Sequence, residues 1–77
     1  MSAKLILELL KEGEFKQFTI NLIDGTPIQI KTIEDIIPCP DMKTVEYFAV
    51  TVHVEGGAKR YRFTPNAISS VCFDEIL

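Results

Sequence analysis

Residues 60–73 read RYRFTPNAISSVCF. On one side Tyr61 and Phe63 alternate with Arg60 and Arg62, and on the other come Ile68, Val71 and Phe73, so both flanks carry strand chemistry. Thr64-Pro65-Asn66-Ala67 stands between them. Proline brings no N–H to a ladder and asparagine tolerates turn conformations, so this tetrapeptide breaks or sharply bends the run. The stretch is therefore two strands joined by a corner.

Upstream, Val45–Val54 is the clearest strand of the chain, with Phe48, Val50, Val52 and Val54 on one face and Tyr47, Ala49, Thr51 and His53 on the other. Glu55-Gly56-Gly57-Ala58 is a turn, Lys59–Thr64 a fourth strand and Ile68–Phe73 a fifth. Further back, Phe18, Ile20 and Leu22 alternate with Gln17, Thr19 and Asn21. Asp24-Gly25 follows at once, which predicts a hairpin closed by a type I′ turn. The returning strand starts near Pro27 and runs to Ile33. Ile36-Ile37-Pro38-Cys39-Pro40-Asp41 then reads as a rigid loop or a bent strand end, because two prolines fix φ and extend their predecessors. At the other extreme, Ser2 to Glu12 has helical spacing: Ser2 is a ready N-cap, Leu5, Ile6, Leu9 and Leu10 form an apolar stripe, and Gly13 stops the run.

One helix (residues 1–13) followed by five short antiparallel strands (14–77) is too much sheet for a single open layer. The expected fold is mostly β, a single domain in which a strongly bent five-stranded sheet curls into a small SH3-like barrel and removes most exposed edges. Pro65-Asn66-Ala67 then turns the chain around a barrel corner.

Composition narrows the function. The 77 residues are 47% hydrophobic and 25% charged, a globular balance, and the net charge of −3 gives no general basic field for nucleic acid. Cys39 and Cys72 follow no charged and apolar leader, so a reducing cytoplasm is expected. No apolar run approaches the ~20 residues of a membrane-spanning helix.

Lys59, Arg60 and Arg62 are the local basic cluster. Arg60 and Arg62 share a strand face, which suits phosphates and equally suits solvated charges that discourage mispairing of an edge. Phe48 heads a face of valines, the position of a core residue as much as of a stacking platform. Asn66 has backbone reasons of its own to sit in a turn. His53 has no second histidine or cysteine at ligand spacing, so no metal is expected. Cys39 lacks a cationic neighbourhood and has Asp41 close by, the setting of an inert thiol, and Cys72 alternates with apolar neighbours like a small buried hydrophobe. Glu34-Asp35 and Asp74-Glu75 have no base, metal cluster or glycine-rich phosphate loop to work with. Neither an enzyme nor a cofactor is expected.

The order of elements resembles that of Sm-like proteins, and the bacterial Hfq branch in particular. Leu22-Ile23-Asp24-Gly25 is similar to the Leu-Val-Asn-Gly hairpin of that branch, Tyr47-Phe48 to its Gln-Phe, and Asn66-Ala67-Ile68-Ser69-Ser70-Val71 to its His-Ala-Ile-Ser-Thr-Val. The resemblance implies a homo-oligomeric ring in which the fifth strand of one subunit pairs with the fourth of the next, through Tyr61, Phe63, Ile68, Val71 and Phe73. It also implies single-stranded RNA as ligand, with Phe48 stacking on a base, Asn66 bonding a base edge, and Lys59, Arg60 and Arg62 meeting phosphates. The family's Tyr-Lys-His-Ala pore motif is here Thr64-Pro65-Asn66-Ala67, its first-strand aromatic is Asn21, and a lysine beyond its hairpin is Pro27. A competing expectation keeps the barrel, and perhaps the ring, as a structural module whose partner is another protein. A third is a monomeric SH3-type barrel that binds a peptide.

Overall fold

The structure, a computed structural model, describes residues 3–11, 13 and 15–73. Its elements are α1 (Lys4–Lys11), β1 (Phe18–Leu22), β2 (Pro27–Ile30), a 3-10 turn (Ile33–Asp35), β3 (Ile36–Pro40), β4 (Val45–Val54), β5 (Gly57–Phe63), a second 3-10 turn (Pro65–Ala67) and β6 (Ile68–Phe73). The chain is mostly β with one helix. Among the described residues the strands number six rather than five, and they form two three-stranded antiparallel sheets, β2-β1-β6 and β3-β4-β5, rather than one continuous sheet.

The difference arises at residues 31–40. The second strand was expected to run to Ile33, but it stops at Ile30 because Ile33–Asp35 winds into a 3-10 turn, with the Asp35 N–H donating to the Thr32 carbonyl at 3.1 Å. Ile36–Pro40, read from its prolines as a loop or strand end, is a strand paired with β4 from Ile36↔Val50 to Pro40↔Val45. It lies at the border of its sheet, where a missing N–H is tolerated on the open side. A register shift between Cys39 and Pro40 precedes its last pair and leaves Glu46 of β4 without a partner in the register.

The hairpin between β1 and β2 also departs from expectation. Gly25 takes φ 92°, while no described non-glycine residue has positive φ, so Asp24 lacks the left-handed backbone that a type I′ turn demands. The Gly25 N–H donates to the Leu22 carbonyl and the Leu22 N–H to the Thr26 carbonyl, each at 2.9 Å, leaving a three-residue loop, Ile23-Asp24-Gly25. Asp24 supports it by accepting from the Thr26 N–H at 2.9 Å, a bond that holds its carboxyl below the ordinary aspartate range. Nothing lies within 4 Å of where a Gly25 side chain would project. Gly25→Ala is thus expected to cost about 1–2 kcal/mol from the backbone alone, whereas Gly13→Ala, outside the left-handed region and with equal space, stays within about 0.5 kcal/mol. Paired urea unfolding curves check this.

The core lies between the two sheets and the helix. Ile6, Leu9 and Leu10 of α1 meet Phe18, Ile20, Ile28 and Ile30 of the first sheet, Ile36, Phe48, Val50 and Phe63 of the second, and Ile68. Leu5, expected in the helix stripe, is 39% exposed, because a helix this short turns only a narrow face inward. The expected cap Ser2 and terminal residue Glu12 lie outside the described residues. No helix among the described residues is long and apolar enough to cross a membrane.

Candidate nucleic-acid interface

Register decides which side chains share a surface. In the second sheet Phe48 stands opposite Phe63, Ala49 opposite Arg62, Val50 opposite Tyr61, Thr51 opposite Arg60 and Val52 opposite Lys59. Side chains alternate faces along a strand, so Phe48, Val50, Val52, Phe63, Tyr61 and Lys59 fall on one side and Tyr47, Ala49, Thr51, Arg60 and Arg62 on the other. The first side packs on the core and the second faces solvent.

Phe48 has no exposed surface, and its ring is tilted against Phe63 with centroids 6.0 Å apart. Its faces are covered by protein, so it has no surface to offer a base. Its neighbour Tyr47 has the position that sequence reasoning gave to Phe48. Tyr47 points outward and is half-buried, and the Arg62 guanidinium carbon lies 5.7 Å from its ring centroid. Tyr47, Arg62, Phe63 and Thr64 line an open hollow of about 330 Å³. The signal for Tyr47 was present in the period of two: once Phe48 is placed inward, Tyr47 must face out.

Arg60 and Arg62 are both exposed on the Tyr47 side, two residues apart, which sets their attachment points about 6.8 Å from one another. The residues opposite them, Thr51 and Ala49, are small. They leave a trough bounded by Ile37, 56% exposed, on β3 and by the arginines on β5, with a volume of about 270 Å³. The register pairs Ile37, Cys39, Tyr47, Ala49, Thr51, His53, Ala58, Arg60 and Arg62 on this face, and the exposed carboxylate of Glu46, unpaired at the β3–β4 register shift, lies beside Tyr47. His53 Nε2 lies 3.1 Å from Asp35 Oδ1, and Asp35 is buried. Lys59 is exposed but belongs to the opposite face, so the expected basic trio is a pair plus an outlier.

Asn66 is exposed in the Pro65–Ala67 turn, and the Ala67 carbonyl of that turn accepts the Ile23 N–H at 2.9 Å. The hairpin tip and the corner are thereby fastened together at one end of the molecule. Of the residues expected at a subunit contact, Phe63 and Ile68 turn into the core of their own protomer, Tyr61 and Val71 pack on its rim, and Phe73 is 51% exposed. Any contact made by Phe63 or Ile68 with a neighbour would therefore use backbone groups. Cys72, expected inside, is exposed on the polar outer face of the first sheet, where Asn21 Nδ2 approaches its sulfur at 3.5 Å and donates to Ser70 Oγ at 3.2 Å. Cys39 is half-buried, its thiol donating to the Ile37 carbonyl at 3.6 Å. Among the described residues no group of histidine, cysteine and acidic side chains is arranged to hold a metal.

Compared with known proteins, the chain matches no family model, and no curated protein or solved structure is significantly similar to it.

Proposed function

We propose that this chain is an Sm-like protein that assembles into a homomeric ring in the cytoplasm and binds single-stranded RNA without catalysing a reaction. The observation that carries the reading is the separation of β5 from β6. They are joined only by the Pro65–Ala67 turn, yet each is the border strand of a different sheet, with one neighbour and one open edge. The other two border strands are blunted, β2 by Pro27 and β3 by Pro38 and Pro40, whereas β5 and β6 contain no proline. A free β5 edge that accepts the β6 edge of another copy is a head-to-tail contact, and such contacts close into rings when the rotation allows.

RNA is supported by the chemistry of the β3-β4-β5 outer face. Tyr47 supplies a stacking surface, Arg60 and Arg62 supply phosphate partners, and Asn66 supplies amide donors and acceptors near the same end of β5. Phe48 has no part in this reading, and Lys59 contributes only long-range charge. The net charge of −3 favours the alternative, a ring whose partner is another protein. Solution mass and oligonucleotide titration separate these readings. A species several times 8.7 kDa is expected, together with binding of labelled U-rich or A-rich 12-mers that weakens from low to moderate salt. A single 8.7 kDa species would defeat the ring, and absence of binding at low salt would defeat the RNA role.

A further inference from the structure

A second surface lies away from the arginine face. Along α1 the residues Lys4, Leu7, Glu8 and Lys11 fall on one solvent-facing stripe, opposite the buried Ile6, Leu9 and Leu10. Lys43 and Val45 complete the other wall of a groove of about 330 Å³. The turn that presents Lys43 is fixed, because Asp41 Oδ1 accepts both the Lys43 and the Thr44 N–H at 2.8 Å. Leu7 and Val45 are half-buried and pack on the core beneath, so the floor is aliphatic and backed by rigid structure. Lys4, Lys11 and Lys43 are exposed around it, with Glu8 as the one carboxylate among the described residues that line the groove.

We propose that this groove docks an acidic peptide segment of a protein partner, with one aliphatic side chain of the peptide entering between Leu7 and Val45 and flanking carboxylates meeting Lys4, Lys11 and Lys43. Among the described residues lining the groove, three ammonium groups stand against one carboxylate, while the nearby Asp41 carboxylate is engaged by the Lys43 and Thr44 N–H groups; this local excess of positive charge on a chain of net charge −3 is the complementarity an acidic ligand requires. The volume admits one or two side chains and not a helix. Nucleic acid is a poor fit, because no aromatic ring lines the groove for a base to stack on and Glu8 opposes phosphate. This inference is independent of the RNA reading, since it uses none of the same residues.

Fluorescence anisotropy with a fluorescein-labelled Asp-Glu-Leu-Glu-Asp peptide tests it. The Lys4→Glu/Lys11→Glu/Lys43→Glu variant is expected to bind at least about tenfold more weakly, three exposed charge pairs being lost. The Lys16→Glu/Lys31→Glu/Lys59→Glu variant carries the same change in net charge at other exposed lysines and is expected to keep most of the affinity. Replacing the peptide leucine by glutamine is expected to weaken binding about fivefold through lost apolar burial. The proposal is overturned if the two triple variants lose affinity equally, if the glutamine peptide binds as well as the leucine peptide, or if unlabelled oligo(U) displaces the peptide. Far-UV circular dichroism of both variants confirms that their fold is retained.

Discussion

Phe48→Ala should bring the protein close to unfolding, while Tyr47→Ala, one residue away, should leave it folded. Phe48 is fully buried, stands opposite Phe63 on one side and Pro38 on the other, and sits where the two sheets face each other. Truncating such a ring costs about 3–5 kcal/mol, from lost transfer energy and the cavity left behind. A 77-residue domain at the usual specific stability holds roughly 4–12 kcal/mol in total, so about a quarter or more of it disappears with one side chain. Phe48→Leu, which keeps more of the volume, should cost much less. Tyr47 rests on the outer face beside Arg62 and should change stability by no more than about 1 kcal/mol. Urea unfolding of the three variants measures this directly, and an unmoved midpoint for Phe48→Ala would remove the ring from the core.

The second large effect concerns affinity. For a U-rich 12-mer, Arg60→Glu/Arg62→Glu is expected to weaken binding about 10–100-fold at low salt and to flatten the dependence of log K on log salt by about 1.4, since each phosphate contact on a single strand contributes about 0.7. Tyr47→Ala should lower affinity about 5–150-fold, the range that corresponds to one base stack of about 1–3 kcal/mol, but leave the salt slope alone. Lys59→Glu, on the other face of β5, should do markedly less than either arginine change. Stacking and phosphate contacts are thus told apart by slope rather than by affinity. Equal affinities for the wild type and the arginine variant would place the ligand elsewhere on the molecule.

Much of this fold could be read from residues alone, and the failures have physical causes. Strands β4 and β6 have the expected bounds, β4 because Phe48, Val50, Val52 and Val54 recur at every second residue and β6 although its period breaks between Ile68 and Val71 at the register shift against β1, and the Pro65–Ala67 corner follows from proline's missing donor. The stretch from Lys31 to Pro40 was misread because the 3-10 turn at Ile33–Asp35 has no strong local signature and because proline argues against a strand until the strand is known to lie at a border. The type I′ turn was inferred from Asp-Gly, which also suits the three-residue loop found; only the pairing register separates the two. The outward-facing aromatic of this strand lies one residue from the one that the sequence reading chose. Phe48 and Tyr47 are both aromatic, and the valine-rich face named the inward one correctly, but the stacking role followed the family resemblance instead of the period.

The pairing of β1 with β6, Phe18 to Phe73 at its far end, has a consequence for biosynthesis. The β3-β4-β5 meander closes between residues 36 and 63 by neighbouring contacts and can zip as soon as those residues leave the ribosome. The β2-β1-β6 sheet stays one strand short until residue 73 has emerged, so β1 waits with an unfilled edge while β3, β4 and β5 are made. A nascent chain stalled before β6 should therefore be the species most prone to aggregate and most dependent on chaperones.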